Sequence, residues 1–453
     1  MTDYGVAPLE LNQTRDLAAF LSGLRLEDVS EEAIHAGRRG VLDWIGCALA
    51  GSNHPTITTL VSVLEAAEGA AACTVFGRTM KIGVLEAPVA NGQMGHILDY
   101  DDTHMGGVVL HASSPILASL FALADRGEIG GRDLIAAYVA GFEAGVRAGQ
   151  AAPDHHDGGW HLTGTLGSIA AGAAAARLLG LDEDQFVYAL GIATTQAGGM
   201  QQNRGTMCKS FHAGKAAHNG TLAALLAQKG FDSSPEILEG KKGFCRIYSA
   251  SSKTERILDQ LGTRWEIANN GHKPYACGVV LHPAIDAMVD LGNRSSIDPS
   301  DVASVELRVH PHAVTITGVT APKTGLQSKF SLTHTAAVSF IDRTAGIAQF
   351  SDARAVAEEV VALRDRINVV TDDSLAKDQA QAIVTSTGGE TSEAVVEHAT
   401  GTIGNPMSDS AIEAKFLANA EPAIGKERAG ALRDLVWRLD EVSDLREITA
   451  LCA

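Results

Sequence analysis

The chain has 453 residues, of which 45% are hydrophobic and 20% are charged, a composition typical of a folded globular protein. Its formal net charge of −18 argues against a nucleic-acid partner, because nucleic acids are attracted by broad basic surfaces. The 6 cysteines are scattered without a CxxC pair, so a zinc ribbon, an iron–sulfur cluster and a disulfide framework are poorly supported.

Neither a signal peptide nor a membrane span is predicted. The first residues lack a basic segment followed by an apolar one, and charges such as Arg177 interrupt the most apolar windows, which are rich in Ala and Gly. We therefore expect a cytoplasmic protein with no membrane partner.

Residues 1–266 are dominated by patterns typical of helices. The segment 30–51 begins with Ser30, a residue suited to an N-cap, and carries apolar residues at helical spacing. Comparable segments, most of which close on Gly, cover 114–127, 130–149, 182–199 and 214–230.

The pattern changes after residue 265. Val305, Leu307 and Val309 alternate with charged residues, as in a strand with one buried face. Further strands are predicted at 366–372 and, as a hairpin, at 381–399. Helical patterns lie between the strands, which is typical of an α+β domain.

Helical patterns return from Ser408 to the end of the chain. The sequence therefore predicts a mostly α protein with two domains. A large all-helical domain is formed by both chain ends, residues 1–266 and 401–453, and residues 267–400 form a smaller inserted α+β domain.

Histidines and cations are concentrated in four stretches of this acidic chain: 91–115, 154–168, 203–220 and 271–287. Because a local cluster of cations can oppose the sign of the net charge, we interpret them as parts of a pocket for a small anion. Single histidines are more often structural, and His155, His156, His310 and His312 are interpreted as solvated loop or strand residues. His96, Asp101 and Asp102 are expected to have structural roles.

A metal site is the main alternative for residues 91–115, because Asp and His together suit some divalent ions. The segment 99–110 fails as a calcium loop, since His104 occupies the sixth position and Leu110 the twelfth. The chain also lacks HExxH, a phosphate-binding GxxxxGK[ST] and the GxSxG of serine hydrolases. We therefore expect no metal and no cofactor.

The motifs, taken in chain order, resemble those of the MmgE/PrpD family of lyases and epimerases, which act on small carboxylates. The resemblance covers most of the chain and rests on VANGQMGHILDYDDTH, HASSP, GWHLTGTLGS, GTMCKSFHAGKAAHNG, LHPAIDA, KFSLTHTAAVSFID and NPMSDSAIEAKF. It implies the two-domain architecture described above, a homodimer, and no need for an iron–sulfur cluster.

The resemblance also implies a set of site residues. The matched positions are Asp99, His111, His161, Lys209 and His282, taken as catalytic, and Thr103, taken as a substrate-binding residue. Ser113, Lys273 and His334 are further candidates for substrate binding, chosen for their side chains and positions rather than by the resemblance. Lys209 and protonated histidines would stabilise developing negative charge, and Asp99 would orient a histidine. The chain departs from many relatives at Ala112, where they have Pro, and at His334, near which they have Tyr.

Three functions fit these residues. The first is a metal-free lyase that dehydrates or decarboxylates a citrate-like di- or tricarboxylate. The second is an epimerase or isomerase of a dicarboxylate, which needs the same residue types. The third is a helical carboxylate-binding protein without activity. The lyase is the leading hypothesis. The sequence does not separate it from the epimerase, and the chemically competent residues at the matched positions argue against an inactive protein.

Overall fold

The computed structural model describes residues 12–66 and 70–453 and is mostly helical. The expectation of no signal peptide concerns a segment that lies largely outside the described residues. The helices are α1 (Gln13–Ser22), α2 (Glu31–Gly51), α3 (Pro55–Glu65), α4 (Glu86–Ile97), α5 (Ser113–Ala124), α6 (Gly131–Ala151), α7 (Leu162–Leu178), α8 (Glu183–Thr194), α9 (Met207–Gln228), α10 (Phe244–Tyr248), α11 (His282–Arg294), α12 (Pro311–Ile316), α13 (Gly325–Ser328), α14 (Leu332–Asp342), α15 (Asp352–Ala355), α16 (Glu358–Arg364), α17 (Asp409–Ile424), α18 (Lys426–Trp437) and α19 (Arg446–Cys452).

The strands are short except in one sheet. They are β1 (Cys73–Thr74), β2 (Lys81–Ile82), β3 (Thr103–His104), β4 (Asn270–Gly271), β5 (Val302–Val309), β6 (Ile367–Thr371), β7 (Ala380–Ser386) and β8 (Thr391–Val396). The last four form one sheet in the order β6-β5-β7-β8, in which only the β5–β6 pair is parallel. Helices α11 and α14 pack against this sheet. The predicted mostly α fold is confirmed.

Local sequence explains where α2 and β5 form. The Ser30 side chain accepts a hydrogen bond from the backbone N–H of Ala33, so the predicted N-cap of α2 is confirmed. Val305, Leu307 and Val309 of β5 are buried, as their alternation predicts. Between the strands, residues 351–366 carry one continuous helical pattern in the sequence but form two helices, α15 and α16.

Close helix packing is made possible by small residues at the crossings. At the α4–α9 crossing, a Cβ on Gly92 would lie 2.9 Å from the Cα of Gly214, and a Cβ on Gly214 would lie 2.2 Å from the carbonyl oxygen of Val89. The two helices therefore touch backbone to backbone. This contact brings the end of α4 close to the first turn of α9.

The C-terminal helices pack on the N-terminal ones. Lys415 of α17 forms a 2.6 Å ion pair with Asp43 of α2, and the N–H of Gly77 donates to the carbonyl of Cys452 at 2.6 Å. These contacts support a helical domain built from both chain ends, and its division at 266/267 and 400/401 stays a prediction. Among the described helices, none is long and apolar enough to span a membrane.

Candidate active site

Asp99 lies just beyond α4, where the chain changes direction. Its φ of +53° is in the left-handed region, which residues other than Gly rarely adopt. Its Oδ2 lies 2.6 Å from Nζ of Lys209, and its Oδ1 lies 2.5 Å from Nζ of Lys273. One buried carboxylate therefore contacts two ammonium groups.

Two separate features of the fold bring these lysines to Asp99. Lys209 lies in the first turn of α9, next to the end of α4 because of the close helix crossing. Lys273 follows β4, which pairs with β3 in the register Thr103 to Gly271. The same short pairing therefore fixes the DYDDT segment and the second lysine together.

The cluster carries more positive than negative charge. Burial alone would raise the pKa of Asp99, but Lys209 and Lys273 hold it well below its usual range. Burial lowers the pKa of Lys209, although Asp99 opposes that change. Since one carboxylate cannot neutralise both lysines, an anionic ligand is attracted to the remaining charge.

His111 is held in one orientation beside this cluster. Its Nδ1 lies 2.8 Å from the carbonyl oxygen of Asp102 and 3.0 Å from the hydroxyl of Thr103. A carbonyl oxygen only accepts hydrogen bonds, so Nδ1 carries the proton in the neutral ring. Nε2 has no hydrogen-bond partner among the residues described and is free to exchange a proton. Burial and the charge of Lys273 keep the pKa of His111 well below its usual value.

A row of neighbouring imidazoles extends from His111. The ring of His96 lies between those of His111 and His161, with centroid distances of 4.6 and 5.6 Å. Asp101 accepts a 2.9 Å hydrogen bond from Nδ1 of His96, so it orients that ring, in line with the structural role expected for both residues. The Nδ1 of His161 lies 2.9 Å from Nδ1 of His212, which is three residues after Lys209 on α9. The row joins helices α4, α7 and α9.

A cavity of about 90 Å³ lies between the Asp99–lysine cluster and the rings of His111 and His161. It brings together five of the predicted site residues, Asp99, His111, His161, Lys209 and Lys273, from segments far apart in sequence. Its remaining lining residues are Val109, His156, Arg204, Gly278, Val279, Val280, His312, Ile316 and Phe330. The site is therefore a small hollow with partly apolar walls, in which the cations Lys209, Lys273 and Arg204 outnumber the one lining carboxylate of the described residues, Asp99.

Thr103 and Ser113 are buried behind the cavity and do not line it. Thr103 contacts Nδ1 of His111, so its hydroxyl positions that ring. The hydroxyl of Ser113 is hydrogen-bonded to the carboxylate of Asp102 and to the hydroxyl of Tyr138. Since these two partners occupy it, the geometry does not support the predicted contact between Ser113 and a substrate.

His282 and His334 are also outside the cavity lining. The His282 ring is fully buried at the start of α11 and packs edge-on against Tyr275, with centroids 5.3 Å apart. Nε2 of His334 is 3.0 Å from the carbonyl oxygen of Gln349. The roles predicted for these two histidines stay predictions, and this arrangement gives them no direct path to a ligand.

Several residues near the site were not among the predicted site residues. Arg204, His156 and His312 line the cavity, so the interpretation of both histidines as merely solvated is incomplete. His155 is 1% exposed and packs between aromatic rings, so its interpretation as solvated was wrong. Lys329 is buried, with Nζ 2.7 Å from the carbonyl oxygen of Leu98. Lys329 is the one charged residue of the segment 326–340, and this isolation was the sequence signal that could have indicated a buried, functional lysine.

Three side chains of the site could offer ligand atoms to a metal. Atoms of His96, Asp101 and His111 lie within 4.8 Å of one another. In the structure, however, Asp101 is hydrogen-bonded to His96, and Nδ1 of His111 faces the Asp102 carbonyl. These contacts occupy Nδ1 of both histidines, whereas Nε2 of His96 is buried without a hydrogen-bond partner among the described residues, and the absence of a metal stays a prediction.

Comparison with known proteins agrees with this architecture. The family models described as the MmgE/PrpD N-terminal domain and the MmgE/PrpD C-terminal domain match residues 15–257 and 275–441. Cis-aconitate decarboxylase of Aspergillus terreus is 28% identical, over 97% of this chain and 95% of its own. Cis-aconitate decarboxylase of Homo sapiens is 24% identical over 97% of this chain and 94% of its own. 2-Methylcitrate dehydratase of Cupriavidus necator is 24% identical over 78% and 76%. The chain belongs to the MmgE/PrpD family.

Proposed function

We propose that this protein is a lyase that decarboxylates a small unsaturated tricarboxylate of the cis-aconitate kind. The observation that carries the proposal is the excess of cations around Asp99, next to the imidazoles of His111 and His161, in one buried cavity. The relatives that match nearly the whole chain, named as cis-aconitate decarboxylases, favour decarboxylation over dehydration.

The chemistry explains why a cationic hollow would be needed. When the bond between a carbon and its carboxylate breaks, carbon dioxide leaves. The electron pair of the broken bond stays on the allylic carbon skeleton. Lys209 and Lys273 would hold substrate carboxylates and stabilise the charge that develops there, from positions fixed by Asp99. A proton must then be added to carbon to complete the product.

His111 is the residue that we assign to this proton transfer. Its Nδ1 is used by the Asp102 carbonyl, so Nε2 is the atom that faces the reaction. Carboxylates of a bound substrate would raise the pKa of the ring, which would take up a proton on binding and donate it to carbon. His161 is the second candidate, because it lines the same cavity.

The direct test is to incubate the purified protein with cis-aconitate in D₂O and follow it by NMR and by release of carbon dioxide. We expect carbon dioxide and a dicarboxylate that carries one new deuterium on carbon. Lys209→Ala and His111→Ala should abolish turnover, while Lys229→Ala, at an exposed position at the opposite end of the same helix, should not.

Other outcomes would replace the proposal. Loss of water from 2-methylcitrate without carbon dioxide would assign a dehydratase. Deuterium in recovered substrate at unchanged composition would assign an epimerase, and binding without turnover of any acid would assign a carboxylate-binding protein. Activity that is lost on chelation and restored by a divalent ion would favour a metal at His96, Asp101 and His111. The homodimer and the cytoplasmic location stay predictions.

A further inference from the structure

Arg204 reaches the cavity from a turn that is tied to a neighbouring loop. The turn Gln201–Asn203 precedes Arg204, and Nε2 of Gln201 donates to the carbonyl oxygens of His156 at 2.6 Å and of Trp160 at 3.0 Å. The backbone N–H of Gln201 donates to the carbonyl of Gly159 at 2.9 Å. These bonds hold the turn and the 156–160 loop together, which fixes Arg204 near His156.

The guanidinium of Arg204 is partly buried and has no side-chain hydrogen-bond or ion-pair partner among the residues described. It lines the same cavity as Asp99 and Lys209, and burial lowers its pKa while Asp99 opposes the change. A guanidinium presents a planar set of N–H donors that matches a carboxylate with two parallel hydrogen bonds. Because no carboxylate of the described residues is hydrogen-bonded to it, the Arg204 guanidinium is equipped to bind an external one.

Two imidazoles lie near Arg204 at the same end of the cavity. His156 comes from the loop after α6, and His312 comes from α12 in the other part of the chain. Burial lowers the pKa of both rings, and the charge of Arg204 adds to that effect. Each neutral ring can still donate one N–H to an anion. The three side chains thus converge from separate segments.

This end of the cavity adjoins a larger one of about 570 Å³. Val109, His156 and His312 line both cavities, so they form the wall between them. The larger cavity opens outward, and its lining includes Lys253, Arg256 and Lys377.

We infer that Arg204, with His156 and His312, forms a second carboxylate subsite, separate from Lys209 and Lys273, that recognises the outer carboxylate of a di- or tricarboxylate. The inference rests on the proposed function, because it assigns the second carboxylate of that substrate. It also explains how a small hollow would select polycarboxylates, since a monocarboxylate fills only one of the two subsites.

The test is a cycle of variants and ligands measured by calorimetry, with glutarate and its monoamide, glutaramate, as probes. Arg204→Gln should weaken binding of glutarate about tenfold or more, because it removes charged hydrogen bonds to one carboxylate. It should leave binding of glutaramate, which keeps only the carboxylate for the lysine pair, within about twofold. Arg204→Lys should recover part of the glutarate affinity. Arg246→Gln, at an exposed arginine, is the matched control and should change neither.

The results test the second subsite and the proposed reaction independently of each other. An equal effect of Arg204→Gln on both probes, or none on either, would overturn the second subsite, even if cis-aconitate is turned over. A selective loss of glutarate affinity would support the subsite even if no acid is turned over, in which case only the assigned reaction fails. Lys209→Ala should weaken both probes, which checks that both occupy the cavity.

Discussion

Two buried clusters of Asp and Lys occur in the described part of this protein, and they are built differently. Asp43 and Lys415 pair one to one at 2.6 Å inside the helical body. Nζ of Lys415 also donates to the carbonyl of Tyr100 at 2.7 Å and lies 4.0 Å from the centre of the Tyr100 ring. Asp99 instead contacts two lysines at the wall of a cavity.

The difference separates a structural ion pair from a binding site. Burial by itself lowers the pKa of Lys415, but Asp43 outweighs it and raises that pKa above its usual value. The pKa of Lys209 is lowered, because Asp99 is shared with Lys273 and does not fully compensate burial. A balanced pair holds helices together, whereas an unbalanced cluster has charge left for a ligand.

The largest expected effect is on catalysis by Lys209. Lys209→Ala should lower kcat/KM for cis-aconitate by about 10²–10³-fold or more, because it removes a fixed cation from developing charge. Stability should change little, because Lys273 remains to compensate Asp99. Steady-state kinetics and thermal unfolding check both halves. Lys215 is exposed on the same helix, so the control variant Lys215→Ala should retain activity. Full activity of Lys209→Ala would contradict the catalytic role assigned to Lys209.

Removal of the structural lysine should give the opposite pattern. Lys415→Met leaves Asp43 buried without its partner and should destabilise the fold by about 3–5 kcal/mol. Activity per folded molecule should persist, since neither residue lines the cavity. Chemical unfolding with parallel activity measurements tests this. A double variant, Lys415→Met with Asp43→Leu, should recover stability. Loss of activity in fully folded Lys415→Met would contradict the assignment of a purely structural role to this ion pair.

The α4–α9 crossing should tolerate less change than an open helix surface. Gly214→Ala would place Cβ 2.2 Å from the carbonyl oxygen of Val89, so the helices must separate at a cost of about 1–3 kcal/mol. Because the crossing sets the approach of Lys209 to Asp99, kcat/KM should fall too. Gly430→Ala in α18 meets no atom within 4 Å and should stabilise by about 0.5–1 kcal/mol. Equal unfolding temperatures for the two variants would refute the packing argument.

A smaller effect is expected from Asp102, whose backbone carbonyl orients His111. Burial, with the nearby carboxylate of Asp43, raises the pKa of Asp102 to about 7. A carboxyl with a raised pKa in the folded state binds its proton more tightly there, so its contribution to stability is lost as pH rises toward that value. From pH 5 to pH 8 the unfolding temperature of the wild type should therefore fall relative to that of Asp102→Asn, which has no carboxyl to titrate. A difference independent of pH would show that the carboxyl is already ionised.

Parts of the site were predictable because they depend on local rules. Lys209 and His212 are three residues apart, so one helical face had to carry both. Asp99 and Lys273 are linked by the β3–β4 pairing, which depends on two residues per strand and left no readable pattern. The family resemblance supplied Asp99 instead, and Lys273 was a candidate because it lies in the cation-rich stretch 271–287.

The errors come from partners distant in sequence. Ser113 has a hydroxyl suited to a carboxylate ligand, but Tyr138 and Asp102 occupy it. His155 follows a helix in a polar stretch, yet Phe244 and Tyr248 enclose its ring. Arg204 belonged to a stretch assigned to the anion pocket but was not chosen as a site residue, because its position depends on bonds that Gln201 makes to another loop. Such contacts are fixed only by the packed fold.

The central claim is that the uncompensated lysine charge beside Asp99 receives a carboxylate, and a crystal structure with the saturated tricarboxylate tricarballylate tests it most directly. The account predicts one carboxylate within hydrogen-bond distance of the Nζ atoms of Lys209 and Lys273, with His111 beside the carbon chain. Tricarballylate bound elsewhere at saturating concentration, with this cavity empty, would contradict it.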